Sequence, residues 1–186
     1  MTKGYIVLTA VGPDRVGIVD DISGTVSGAG CNIEESKMAV LGGEFAVIML
    51  VSGTPGAVEA LSRALPAAGE KLGLHVECRA THEPRAGEPG RPYLLEAVSL
   101  DTPGIVHSVT AVLRNHGINI EDLDTDTAAA PWTGAPMFRL KAHLVIGASV
   151  SVTQLKDELL RLQQEHDLDI AMKPLFATLP ESEGRA

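Results

Sequence analysis

The sequence predicts an α+β protein built from two copies of one β-α-β-β-α-β unit. Three observations carry that reading. The stretch "DRVGIVDDISGTVSGAGCNIEE" starting at Asp14 returns as "DTPGIVHSVTAVLRNHGINIED" starting at Asp101. Asp14 and Asp101, Gly17 and Gly104, Gly30 and Gly117, and Asn32 and Asn119 are each 87 positions apart. An offset that long marks a duplicated domain rather than a short solenoid repeat. In both copies, apolar strand-like runs and helical periodicity follow in the same order. Between the copies stands "EPRAGEPGR", Glu83 to Arg91, whose Pro, Gly and charge are the chemistry of a linker. With right-handed crossovers each copy becomes a four-stranded antiparallel sheet with two helices on one face, the ferredoxin-like arrangement. The expected domains are residues 1–82 and 92–178, with residues 83–91 as linker and 179–186 as a flexible tail.

Each element has its own local reason. "YIVLTAV" and "YLLEAVSL" are apolar runs of strand length. In the first helix Ile18, Ile22 and Val26 recur at helical spacing, with Val19 beside them. In its counterpart Ile105, Val109, Val112 and Leu113 do so. Asp101 or Thr102 is expected to cap the latter helix, and Pro103 to occupy its first turn. Gly30 and Gly117 are expected to close these helices. "CNIEESKMAV" and "INIEDLDTDT" read as strands. Gly42-Gly43 predicts a tight hairpin turn into "EFAVIMLVSG". The second copy's hairpin is longer and carries Pro131, Trp132 and Gly134. A second helix follows in each copy: from Ala57 to Leu65, stopping at Pro66, and along Val152, Leu155, Leu159 and Leu162. "LHVECRA" and "LDIAMKPLF" supply the last strands.

Composition narrows the class. The 186 residues are 45% hydrophobic but only 3% aromatic, so the cores must be mostly aliphatic. The net charge of −9 argues against direct nucleic-acid binding, which needs a basic face, and against an anionic membrane surface. Cys31 and Cys78 have neither metal-ligand nor disulfide spacing and read as small core residues. The apolar runs Tyr5–Val11 and Phe45–Val51 are too short for a secretory signal or a membrane span. A cytoplasmic protein without cofactor is therefore expected. The acidic run Glu121, Asp122, Asp124 and Asp126 does not fit a calcium loop, because Thr127 and Thr133 stand where Gly and Glu are needed. Pairing with Arg139, Lys141 and His143 across the hairpin accounts for it better. The six histidines show no metal or triad spacing, and no nucleophile–base set is present, so an enzyme is not expected.

The segment Asp-x-x-Gly-Ile-Val, followed by Asn fifteen residues after the glycine, resembles the ACT domain, a small-molecule-sensing module of amino-acid metabolism. In ligand-binding ACT domains the polar residue three before the glycine and that Asn contact a bound amino acid. The first of these is often Asn; here it is Asp14 and again Asp101. The closer resemblance is to the glycine cleavage system transcriptional repressor family, whose members are two ACT domains in tandem. It rests on "DRVGIV", "GCNIEES" and "GGEFAVIMLVSG", and is strong over residues 5–53 and weaker in the second copy. The resemblance implies a ligand-responsive regulator of amino-acid metabolism, with glycine and then serine as the first effectors to consider. It implies transcriptional regulation through protein contact, with a LysR-type activator as partner.

The site it implies comprises Asp14, Val16, Gly17, Ile18 and Asn32, and in the second copy Asp101, Pro103, Gly104, Ile105 and Asn119. Free N–H groups at a helix start favour a carboxylate there, Gly permits close approach, and Asp can accept from an ammonium. The alternative for these residues is helix capping and turn bonding. The alternative function is a trans-acting amino-acid-sensing subunit of a metabolic enzyme. A homodimer or larger assembly is expected, since small domains poor in aromatics gain core by association. Trp132 is a candidate contact. The strand Phe45–Val51 is apolar on both sides, which predicts cover on both faces of the first sheet. Its counterpart alternates Phe138, Leu140, Ala142 and Leu144 with Arg139, Lys141 and His143.

Overall fold

The structure, a computed structural model, describes residues 3–83, 89–131 and 133–175. The chain divides into two compact units, Met1–Ala86 and Gly87–Ala186. The first contains β1 (Gly4–Pro13), α1 (Ile18–Gly28), β2 (Asn32–Leu41), β3 (Glu44–Gly53), α2 (Pro55–Leu72) and β4 (His75–Thr81). The second contains β5 (Gly90–Leu100), α3 (Ile105–Asn115), β6 (Asn119–Ala129), β7 (Pro136–Gly147), α4 (Val152–His166) and β8 (Asp169–Pro174). The sheets are four-stranded, ordered β2-β3-β1-β4 and β6-β7-β5-β8, and every pairing is antiparallel. This is the ferredoxin-like α+β fold, twice.

Each unit buries one helix stripe against one sheet face. In the first, Ile18, Ile22 and Val26 of α1 and Val58, Leu61 and Leu65 of α2 meet Ile6, Leu8, Ala10, Val47, Met49 and Val51 of the sheet. In the second, Ile105, Val109 and Leu113 with Leu155, Leu159 and Leu162 meet Leu95, Ala97, Leu140, Ala142 and Leu144. Of the expected helix-face residues, Val19 is exposed, and Val112 and Val152 are only partly covered. Gly30 and Gly117 take positive φ just past the C-caps Ala29 and His116. The amides of Cys31 and Ile118 then reach back to the carbonyls of Val26 and Leu113, at 3.2 and 3.0 Å. Gly42 and Gly43, both at positive φ, make the tight hairpin turn that a two-residue connection requires.

Three local expectations are corrected. The helix α2 does not stop at Pro66 but runs on to Leu72. Pro66 is exposed, so the carbonyl it leaves unbonded can be solvated. Beyond it Gly69 is buried close to Val76: a Cβ there would lie 2.3 Å from Val76 Cγ2. Packing of that last turn holds the helix together past the proline. The strand β5 begins at Gly90, so Gly90 and Arg91, expected in the linker, are paired with Gly147 and Ile146. Cross-strand partners so far along the chain leave no mark on linker-like composition. Helix α3 starts at Ile105 with Gly104 as N-cap. Asp101, Thr102 and Pro103 therefore precede the helix, and neither Asp101 nor Thr102 caps it. Trp132 and residues 176–186, with the tail expected at 179–186, lie outside the described residues.

Candidate functional site

The turn between the first strand and first helix is built alike in both units. The Asp14 amide donates to the Gly43 carbonyl at 2.9 Å and the Asp101 amide to the Pro136 carbonyl at 3.0 Å, tying each turn to the hairpin end of its sheet. Gly17 (φ 90°) and Gly104 (φ 100°) are left-handed N-caps, and neither helix start has a side-chain cap bond. An L side chain rarely adopts this φ, while the surrounding space would admit a Cβ, so conformation rather than room demands glycine. Asp14 and Asp101 are thus free of the capping role that was their structural alternative. Asp14, Val16 and Gly17, and Asp101, Pro103 and Gly104, are exposed, with Val16 99% so. Ile18 and Ile105 turn their side chains into the core, leaving only their backbone for a ligand. In the first unit Arg15 pairs with Asp21 at 2.7 Å. In the second, Thr102 and Ser108 hold those places.

The asparagines lie elsewhere. Asn32 pairs with Ser52, and Ser52 with Tyr5; Asn119 pairs with Val145, and Val145 with Pro92. Asp14 and Asp101 follow the far ends of the same central strands. Nine strand residues separate the levels, about 30 Å at about 3.3 Å each. No single unit brings its helix-start turn and its Asn onto one ligand.

Glu34, two residues beyond Asn32, carries no signature in the local sequence pattern. The pairing of β2 with β3 slips between Ile33 and Glu35, so Glu34 is a bulge residue. Its carboxylate accepts from the hydroxyl of buried Ser52 and from Lys3 Nζ, the latter at 3.1 Å. The Ser52 hydroxyl, then the Lys3 ammonium and the Asn32 side chain hold the Glu34 carboxyl below the usual carboxylate range. A bulge re-aims a side chain, and no local pattern announces one. The second unit has the same slip at Glu121, but Gly90 and Val145 stand where Lys3 and Ser52 do.

The acidic run and the two cysteines have neighbours within the fold. Asp122, Asp124 and Asp126 face His143, Lys141 and Arg139 in register, and Asp126 bonds Arg139 Nε at 2.7 Å. Among the described residues no three His, Cys, Asp or Glu side chains gather to hold a metal ion. Cys31 and Cys78 pack against the first core, and burial pushes both thiols up. No helix among the described residues is long and apolar enough to cross a membrane.

A duplicated ferredoxin-like unit with a glycine-capped helix start after its first strand defines the class of tandem ACT-domain proteins. The family profile described as ACT domain matches residues 4–79. The chain is 40% identical over 130 residues to the glycine cleavage system transcriptional repressor of Escherichia coli K12, covering 69% of this chain and 68% of that protein. Over 72 residues it is 42% identical to a UPF0237 protein of Methanopyrus kandleri, covering 38% of this chain and 80% of that one. A crystal structure of an unknown protein from Galdieria sulphuraria superposes with a TM-score of 0.82 at 32% identity, covering 94% of this chain and 100% of the other. A second, provisionally classed as a glycine cleavage system transcriptional repressor, superposes at 0.73 with 25% identity, covering 95% and 100%. The chain belongs to the glycine cleavage system transcriptional repressor family.

Proposed function

We propose that the protein is a non-enzymatic, cytoplasmic regulator of amino-acid metabolism that binds a small amino acid, glycine or serine first, and acts by contact with a partner protein. The observation that carries this reading is the placement of the repeated segment. Each unit presents a helix-start turn, with Asp14 or Asp101, at one end of its sheet and an Asn, Asn32 or Asn119, at the other. The halves are complementary and separated. A complete site therefore forms where the turn end of a unit meets the Asn end of a unit in a second copy of the chain. The ligand carboxylate sits over the backbone at Val16–Ile18 or Pro103–Ile105, where the helix dipole favours it. Asp14 or Asp101 faces the ammonium, and an Asn of the second copy closes the site. Binding then couples directly to association, the state a partner can read. The acidic charge favours a protein partner over DNA, and by family likeness that partner is a LysR-type activator.

Thermal melts of the full chain with a panel of amino acids test the reading. An effector at a hundred times its dissociation constant should stabilise the fold by about 2.7 kcal/mol. Asn32→Ala and Asn119→Ala should each diminish the rise, and light scattering should show a homo-oligomer whose population follows the effector. If no amino acid moves the melt, or the double variant responds like wild type, these residues are structural. A pull-down that returns a metabolic enzyme in place of an activator would redirect the reading to a trans-acting sensory subunit.

A further inference from the structure

The second unit contains a cavity of about 400 Å³, within the size range of small-molecule sites. It opens at the start of β5 and is bounded by Arg91, Tyr93, Ile146, Val150 and Val152. It lies on the helix side of the sheet, because Tyr93 pairs with the buried Leu144. Asn119, in register with Val145, belongs to the opposite face.

Three differences between the copies coincide at this cavity. Arg91 occupies the register position that Gly4 holds in the first unit, and Tyr93 that of Ile6. In the first unit Gly53 leads directly into the N-cap Thr54 of α2. In the second, Gly147, Ala148, Ser149 and Val150 intervene between Ile146 and the N-cap Ser151 of α4. The inserted residues hold the start of α4 away from the sheet edge. In the first unit that edge is closed: a Cβ on Gly4 would already meet Pro55 Cα at 3.3 Å. Tyr93 is only 9% exposed, and its hydroxyl has no hydrogen-bond partner among the described residues. Arg91 has no ion-pair partner among them either. The hydroxyl oxygen is reached by solvent at the cavity, so it is a donor open to a ligand there.

We propose that this cavity is a second ligand site, separate from the Asp–Gly–Asn segments, that binds a small organic monocarboxylate with an apolar body. The Arg91 guanidinium and the Tyr93 hydroxyl donate to the carboxylate, and Ile146, Val150 and Val152 receive the apolar part. The N-terminal end of α4 adds a positive dipole at the same mouth. One cation and one phenol match a single negative charge. A doubly charged phosphate would meet only one cationic side chain there.

Titration of the full-length protein with phenylacetate, followed by backbone amide NMR, tests this. Saturable shifts at Gly147 to Val152 and at Tyr93, at millimolar phenylacetate or below, are expected, with none from isosteric phenylacetamide. Tyr93→Phe, which keeps the ring packed, should weaken binding roughly tenfold, and Arg91→Met should abolish it. Equal shifts with phenylacetamide, binding of inorganic phosphate in place of phenylacetate, no saturable shift at all, or unchanged affinity in either variant would overturn the proposal. Glycine separates the two sites. A glycine response that depends on Asn32 and Asn119, without phenylacetate binding, removes this site alone. Phenylacetate binding without that response leaves it standing.

Discussion

The same corner of the fold, where the first strand of each unit begins, is filled in opposite ways. In the first unit Lys3, Glu34 and Ser52 form a polar cluster on the outer sheet face, and the helix side is closed by Gly4 against α2. In the second, Gly90, Glu121 and Val145 leave no such cluster, and the helix side opens into the Arg91–Tyr93 cavity. The outer faces diverge likewise. The first carries Val7, Val11, Ile48 and Leu50 at aligned positions, and Ile48 is 50% exposed. This face surrounds a shallow hollow of about 230 Å³ bordered by Glu35 and Lys37. The second carries a ladder of charge, with Glu96 between Lys141 and Lys173 at 3.8 and 3.3 Å. Duplication preserved the faces that must pack. The faces and corners that packing does not constrain were free to acquire different chemistry.

The largest effects should be alike in the two copies. Leu8 and Leu95 are fully buried at equivalent positions. Leu8→Ala and Leu95→Ala should each cost about 2–5 kcal/mol, read by denaturant unfolding. A loss under about 1 kcal/mol at one of them would break the equivalence of the cores.

Next comes a position peculiar to the first unit. Gly69→Ala puts a Cβ onto Val76 and should cost about 1–3 kcal/mol by overpacking. A neutral or stabilising result would show that the end of α2 beyond Pro66 is not held by that contact.

The outer faces should respond little in the isolated fold. Ile48 and Lys141 are counterparts on β3 and β7. Ile48→Lys should change folding stability by no more than about 0.5 kcal/mol while reducing self-association in light scattering. Lys141→Ile removes one exposed ion pair, a matter of at most about 1 kcal/mol, and should leave association unchanged. Equal association in wild type and Ile48→Lys would show that this apolar face is not where copies meet.

The smallest effect separates the polar corners by pH. The folded Glu34 carboxyl sits below its ordinary value, so the stability it contributes is present above the unfolded carboxylate pKa, about 4.3. It is lost as pH falls through the folded value. Wild type should therefore lose slightly more stability than Glu34→Gln between neutral pH and about 3. Glu121→Gln, which cuts no bond among the described residues, is the control. Identical pH profiles for wild type and Glu34→Gln would mean the cluster contributes nothing.

Much of this protein was legible in its sequence because it depends on neighbours along the chain. Helical spacing at Ile18, Ile22 and Val26, strict alternation at Phe138 to Leu144, the Gly42-Gly43 turn and the 87-residue offset each record a local backbone geometry, and together they determined the elements, their order and the buried face of each sheet. Only the tertiary structure decided the rest. It placed Asp14 and Asn32 at opposite ends of a sheet although eighteen positions apart in sequence, because α1 carries the chain back across the sheet before β2 begins. It turned Glu34 onto Ser52 through a bulge, carried α2 past Pro66 on the packing of Gly69, and drew Arg91 out of an apparent linker to pair with Ile146. Each of these depends on a partner many residues away, chosen by strand register and side-chain volume, and neither quantity is written in local spacing.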